Sequence, residues 1–203
     1  MPATHYTLDA FVSQELSRLT ACAPQSLATE FPLRSQWLDR FVLQRIINDH
    51  VREGYVPLAF IVVRRAEAAV DEWELACASA HDVRCPSGYF RMLRHLENCI
   101  AALWQGMDFC RKVTGKNLFE KSDDTFYRRL NEVYNCGRHF NPSNIPRGDL
   151  HGLWISNDGL HSRNYAITFF ELFNALRDLA RAAEMLSGLH RSASGFQEDL
   201  LST

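Results

Sequence analysis

Over most of this chain the apolar residues recur at three- and four-residue intervals, the period of helices that each bury one face. Leu8, Phe11, Val12, Leu16 and Leu19 predict a first short helix over 8–22, with Thr7 as its cap. Trp37, Leu38, Phe41, Val42, Ile46 and Ile47 form the stripe of a second over about 34–52, closed by Gly54. Pro57 suits the first turn of a third, in which Leu58, Ile61, Val62, Ala66, Ala69, Val70, Trp73 and Leu75 lead towards Ala80. After a break at Cys85-Pro-Ser-Gly88, the residues Tyr89, Met92, Leu93, Leu96, Ile100, Leu103, Trp104, Met107 and Phe109 follow one face of a long helix over 87–113. At about 1.5 Å per residue it would extend roughly 40 Å and serve as a spine.

Ser122-Asp-Asp124 offers an acidic, capped start to a fifth helix, and Phe126, Leu130, Val133 and Tyr134 carry it to about Phe140. A loop by composition follows, from Asn141 to Gly148. Strand character is confined to 150–167, where Leu153-Trp-Ile155 and Tyr165-Ala-Ile167 flank Asn157-Asp-Gly159 and suggest a small hairpin or ordered loop. Thr168-Phe-Phe-Glu171 has capping-box form and opens a last helix with Leu172, Phe173, Leu176, Leu179, Ala183 and Leu186, ended by Gly188. The expected fold is therefore all-α, a bundle of five or six helices with a loop or hairpin insertion at about 150–167. One domain over 1–189 is expected, with a peripheral N-terminal helix within 1–30 and a flexible tail over 190–203.

Composition narrows the function classes. A net charge of -2, from 22 Lys and Arg against 24 Asp and Glu, argues against a generic charge-driven grip on nucleic-acid phosphates and leaves only a local basic face. The six cysteines, Cys22, Cys77, Cys85, Cys99, Cys110 and Cys136, show no metal or disulfide spacing and read as buried thiols of a reducing cytoplasm. No secretory signal is read at the N-terminus, and the most apolar run, Pro57 to Val63, falls short of the about 20 residues that a bilayer requires. Cytoplasmic placement without a membrane partner is expected.

Chemistry concentrates near the end of the fifth helix. Asn135 and His139 lie four residues apart and share a face, as do Tyr134 and Arg138 one step round. An imidazole, a guanidinium and two hydrogen-bonding groups suffice for metal-independent phosphodiester cleavage. The competing structural reading is that Asn135 and His139 satisfy backbone groups at a helix end while Arg138 sits on a solvated face.

An all-α bundle with Tyr134-Asn-Cys-Gly-Arg-His139 late in the chain, then a loop and a closing helix, resembles the HEPN superfamily. Members show Arg, a polar residue, any three residues and His. Asn135 and His139 match that pattern, whereas Tyr134 occupies the arginine position. The resemblance covers mainly residues 87–187. It implies a homodimer that binds RNA or a nucleotide, a role in a prokaryotic toxin–antitoxin or anti-phage defence system, and a cognate antitoxin or defence protein as partner. In active members Arg and His form a metal-independent ribonuclease site, so Tyr134 implies a degenerate one. Should cleavage occur, His139 would be the acid/base, Arg138 the phosphate-stabilising cation, and Asn135 and Tyr134 the orienting groups. Arg128 and Arg129 are further candidates for the missing charge. A literal spacing match at Arg45-Ile-Ile-Asn-Asp-His50 has Ile46 at the polar position and is set aside.

The alternatives are a non-catalytic dimerisation or protein-interaction module, and a metal-dependent hydrolase using His139, His151 and His161 with Asp149 and Asp158. The histidines have no recognised ligand spacing, nor does the pair His95 and Cys99, so no metal site is assigned. No glycine-rich phosphate loop, nucleophile elbow or kinase signature is present, and no cofactor is expected. Arg128, His151, Trp154 and His161 complete the candidate ligand-binding set, Trp154 because it lies in the loop rather than on a helical stripe.

Overall fold

The computed structural model describes Leu19 and residues 24–47, 51–114, 117–120, 123–138 and 151–189. Among these, five α-helices surround one core and a small antiparallel sheet lies against them, in agreement with the all-α expectation. The helices are α1 (Trp37–Ile47), α2 (Val56–Ser79), α3 (Pro86–Thr114), α4 (Phe126–Arg138) and α5 (Phe169–Leu186). The expected N-terminal helix, apart from Leu19, and the expected tail lie outside the described residues.

The centre is the pair α2 and α3. Ala59, Val62, Val63, Ala66, Ala69, Val70, Trp73 and Ala76 are buried along α2, and Tyr89, Met92, Leu93, Leu96, Cys99, Ile100 and Leu103 along α3. Both stripes keep a three-four spacing, and the alanines of α2 let the helix backbones approach closely. The helices run antiparallel, with Glu72 meeting His95 and a Cβ built on Gly106 falling 3.4 Å from Arg65 Cβ. Their connection turns sharply through Ala80–Asp82, where a Cβ on Gly88 would lie 2.1 Å from the Asp82 carbonyl oxygen, so only glycine fits.

The remaining elements attach to this pair. The segment before α1 crosses α2: Trp73 Nε1 donates to the Gln25 carbonyl at 2.8 Å, and Leu27 N donates to Glu74 Oε1 at 2.7 Å. In α1 only Trp37 and Phe41 are buried, while Val42, Ile46 and Ile47 of the expected stripe are exposed. The helix docks through its first turns alone. At the other end of the chain Gly188, at φ 66°, takes the left-handed conformation that stops α5, and Ser187 Oγ donates to the Trp37 carbonyl at 2.9 Å.

The insertion, expected as a small hairpin or ordered loop, is a three-stranded meander. Its strands are β1 (Leu153–Ile155), β2 (Gly159–Ser162) and β3 (Ala166–Thr168), with Trp154 opposite His161 and Leu160 opposite Ile167. Gly159 opens β2 because a Cβ there would lie 2.1 Å from the Ile167 carbonyl oxygen. Tyr89, wholly buried on α3, accepts from the Ile155 amide at 2.9 Å and ties the sheet to the spine.

A second tie fixes α4. Glu171 and Thr168 form the expected capping box of α5. Arg129 of α4 donates to Glu171 Oε1 at 2.5 Å and to the Ala166 carbonyl at 2.7 Å, joining α4, β3 and α5. This pairing holds the Glu171 carboxyl below its ordinary range. A depressed carboxylate contributes stability that is present above its unfolded-state value and lost as pH falls through the folded one. Arg129→Met should therefore lower unfolding stability by about 1–3 kcal/mol near neutral pH. The variant should also lose less stability than the wild type on acidification, which urea midpoints at about pH 7 and about pH 3 would measure.

Candidate functional site

The helical period sets Val133, Tyr134, Gly137 and Arg138 on one face of α4. That face meets Glu97, Asn98, Ile100, Ala101 and Gln105 of α3, and Leu153 of β1 closes the space between them. The result is a cleft of about 300 Å³, apolar at Ile100, Ala101, Val133 and Leu153 and polar elsewhere. Gly137 makes the close approach possible: a Cβ there would lie 3.2 Å from Leu153 Cδ1 and 3.3 Å from Glu97 Oε1. Glycine costs an exposed helix about 1 kcal/mol relative to alanine, and here it lets the carboxylate reach the backbone of α4.

Glu97 is the least satisfied group in the cleft. Its Oε1 is buried and accepts no hydrogen bond among the described residues. His151 Nε2 approaches to 3.4 Å, an ion-pair distance without hydrogen-bond alignment. The other ring nitrogen, Nδ1, accepts from the Leu153 amide at 3.1 Å, so in the neutral ring the hydrogen sits on Nε2 and faces Glu97. Burial pushes the Glu97 carboxyl above its ordinary range, and His151 opposes the shift. Behind the cleft, Glu72 of α2 accepts from Asn98 Nδ2 at 3.2 Å and pairs with His95 Nδ1 at 2.7 Å.

Tyr134 and Arg138 form the opposite lip. The Arg138 guanidinium donates to the Tyr134 hydroxyl and lies over its ring, with Cζ 5.7 Å from the centroid. Trp104 stacks with the Tyr134 ring at 6.3 Å and contacts Phe119 at 5.9 Å. Cation–π contacts at exposed sites are worth about 0.5–1 kcal/mol.

Of the residues singled out from sequence, Tyr134, Arg138 and His151 come together at this cleft. Asn135 is half-buried and does not line it. Arg128 is spent on local structure, donating to the Asp123 carbonyl at 2.6 Å. Arg129 is the clamp on Glu171. Trp154 and His161 stack at 6.2 Å on the sheet face opposite Leu153, with His161 Nε2 3.4 Å from Asp158 Oδ1. His151 and His161 thus face different carboxylates. His139, Asp149 and His50 lie outside the described residues. Among the described residues no three His, Cys, Asp or Glu side chains are grouped to hold a metal, and no helix is long and apolar enough to cross a membrane. Sequence reasoning missed Glu97, Gln105 and Gly137. Glu97 reads as one more charged position on a long helix, and Gly137 as a weak helix end.

The thiols also depart from expectation. Cys99 is wholly buried, and burial pushes the Cys110 thiol up to about 11, but Cys85 is exposed at the first turn of α3. Hydrogen bonds from Ser87 and the Gly88 amide lower the Cys85 thiol below its ordinary value. The chain matches no known protein family, no curated protein and no solved structure.

Two measurements follow from this geometry. The Glu97 carboxyl, followed by carbon-detected NMR titration, should ionise above the ordinary glutamate range, and His151→Ala should raise it further by removing the imidazole that opposes the shift. Among the cysteines described, maleimide or disulfide-reagent labelling of the native protein should modify Cys85 first and Cys99 last, with Cys85→Ser removing the fast phase.

Proposed function

We propose that this chain is a HEPN-like protein that binds RNA or a nucleotide at the cleft between α3, α4 and β1, as a component of a prokaryotic toxin–antitoxin or anti-phage defence system. The observation that carries this reading is the constellation of Arg138 over Tyr134, facing the unsatisfied Glu97 across a cleft of about 300 Å³. A cation for phosphate, an aromatic neighbour and a hydrogen-bonding carboxyl are the groups that single-stranded RNA and nucleotides engage. A local cationic lip also accords with a net charge of -2, because recognition here does not need a basic surface.

Binding without efficient cleavage is the favoured form. Tyr134 stands at the arginine position of the motif and is committed to Trp104 and to Arg138. Arg138, one turn on, supplies a cation from a position the motif does not use. With His139 as acid/base, the degenerate ribonuclease would run through Arg138. A homodimer belongs to the same proposal, and the exposed Val42, Leu43, Ile46 and Ile47 of α1 supply apolar surface that it would need. A cognate antitoxin or defence protein would be a further partner.

The test uses end-labelled tRNA and unstructured RNA in EDTA, with binding read by fluorescence anisotropy and cleavage on gels. Wild-type protein should bind, and Arg138→Ala should weaken binding about tenfold, the effect of losing a charge-assisted contact. Cleavage lost in His139→Ala would establish the degenerate enzyme. Binding with no cleavage would establish the binding module. Neither binding nor cleavage of any RNA or mononucleotide by folded protein would overturn the proposal.

A further inference from the structure

Four apolar residues of α1 face away from the core. Val42, Leu43, Ile46 and Ile47 are 49%, 44%, 78% and 63% exposed, and they occupy successive turns of one helix face. Single apolar residues on a surface are ordinary, but a strip of four aliphatic side chains is one that another apolar group would cover.

The chain itself arrives at this strip. At the end of α5 the Gly188 amide donates to the Met185 carbonyl at 3.1 Å and the Leu189 amide to the Glu184 carbonyl at 3.0 Å, which closes the helix and turns the backbone out. A Cβ built on Gly188 would fall 3.0 Å from Gln44 Cδ, so this turn packs directly on α1. Along the same edge of α1, Ile47 lies three residues after Gln44 and the exposed Arg40 four before it. Residues 190–203 therefore follow from a point beside the strip. The residues before Leu19 join the fold elsewhere. Leu19 accepts from Arg84 Nε at 3.2 Å, beyond the end of α2, whereas α1 meets α2 near its start, with Phe41 and Phe60 6.1 Å apart. The 19 residues from Phe60 to Ser79 put roughly 30 Å of helix between those two places.

We propose that residues 190–203 dock on the exposed strip of α1 in their own chain, with Phe196, Leu200 and Leu201 covering Val42, Leu43, Ile46 and Ile47. The sequence of this segment suits the role. Ser194-Gly-Phe-Gln197 has capping-box form, and in the helix it would open, Phe196, Leu200 and Leu201 fall on one half and Glu198 and Asp199 on the other. Those two acids complement Arg40 at the edge of the strip. The link from Leu189 to Phe196 can span roughly 20 Å, well beyond the rise of about 8 Å from Val42 to Ile47. A segment tethered so closely meets its site at an effective concentration on the order of mM, which a second copy at ordinary protein concentration does not match. This inference goes beyond the nucleotide reading. It bears on the homodimer proposed above, because a docked tail and a second copy would compete for one face.

The experiment is methyl NMR of the full chain labelled at isoleucine, leucine and valine. Contacts between the methyls of Leu200 or Leu201 and those of Ile46 or Ile47 should appear. They should keep their strength per labelled chain when unlabelled chain is added, since both partners lie on one molecule. Ile46→Ser should move the Leu200 and Leu201 signals to free-leucine positions. Leu200→Ser with Leu201→Ser should shift Ile46 and Ile47 and leave the core methyls of Val62 and Leu96 in place, which shows that the fold is intact. Contacts that fade on dilution with unlabelled chain would give the face to a second copy and overturn the proposal. Contacts from Leu8 or Leu16 in place of Leu200 and Leu201 would overturn it in favour of the N-terminal residues. Free-leucine signals in the wild type, unmoved by Ile46→Ser, would overturn it as well. No nucleotide or RNA enters these measurements, so the binding reading of the cleft stands or fails separately.

Discussion

The close packing of α2 on α3 is the constraint on which everything else depends. Alanine at positions 59, 66, 69 and 76 keeps one side of the interface thin, and the leucines, Met92 and Ile100 of α3 fill the gap. Tight interiors tolerate little change in volume, so this pair behaves as a rigid beam. Its antiparallel arrangement comes from a turn that Gly88 alone can make. α3 is five residues longer than α2, 29 against 24, and the cleft forms along this spine where α4 crosses it.

α4 is attached differently. It buries only Leu130 and Val133 completely, too little apolar surface to fix a helix of 13 residues by packing alone. Partly buried Phe126, Tyr134 and Cys136 add to that packing, Arg129 ties the helix to Glu171 and Ala166 at one end, and Gly137 lies close to Leu153 and Glu97 at the other. The sheet is pinned in turn by Tyr89. The cleft consequently has one rigid wall and one wall held by a few directed contacts. Such a division suits a site that must accept a ligand, because elements with few buried contacts open at lower free energy than the core.

A few buried polar atoms are left without hydrogen bonds among the described residues. Trp37 Nε1, Arg65 Nε, Arg177 Nε and Glu97 Oε1 are all buried without a hydrogen bond among the described residues. The first three do not line the cleft between α3, α4 and β1, and Glu97 does. A raised carboxyl, an imidazole beside it and an exposed guanidinium at one cleft are the kind of environment that functional sites often show.

The sequence by itself determined the helices, because burial of one face writes a three-four period into residues such as Val62, Ala66, Trp73, Met92 and Leu96, and because local chemistry at Thr168, Glu171 and Gly188 fixes helix ends without distant help. It also placed Tyr134 and Arg138 on one face, since four residues make one helical turn. Strand β2 was not legible: Gly159-Leu-His-Ser162 has no β-branched residue, and its pairing with both neighbours exists only once the meander closes. Nor was the exposure of Ile46 and Ile47, which depends on how far α1 docks. Tertiary structure alone decided the site. Glu97 lies 37 positions before Tyr134, and it becomes a candidate only because α4 crosses α3 at a glycine, close enough to bury one oxygen and leave it without a hydrogen bond among the described residues.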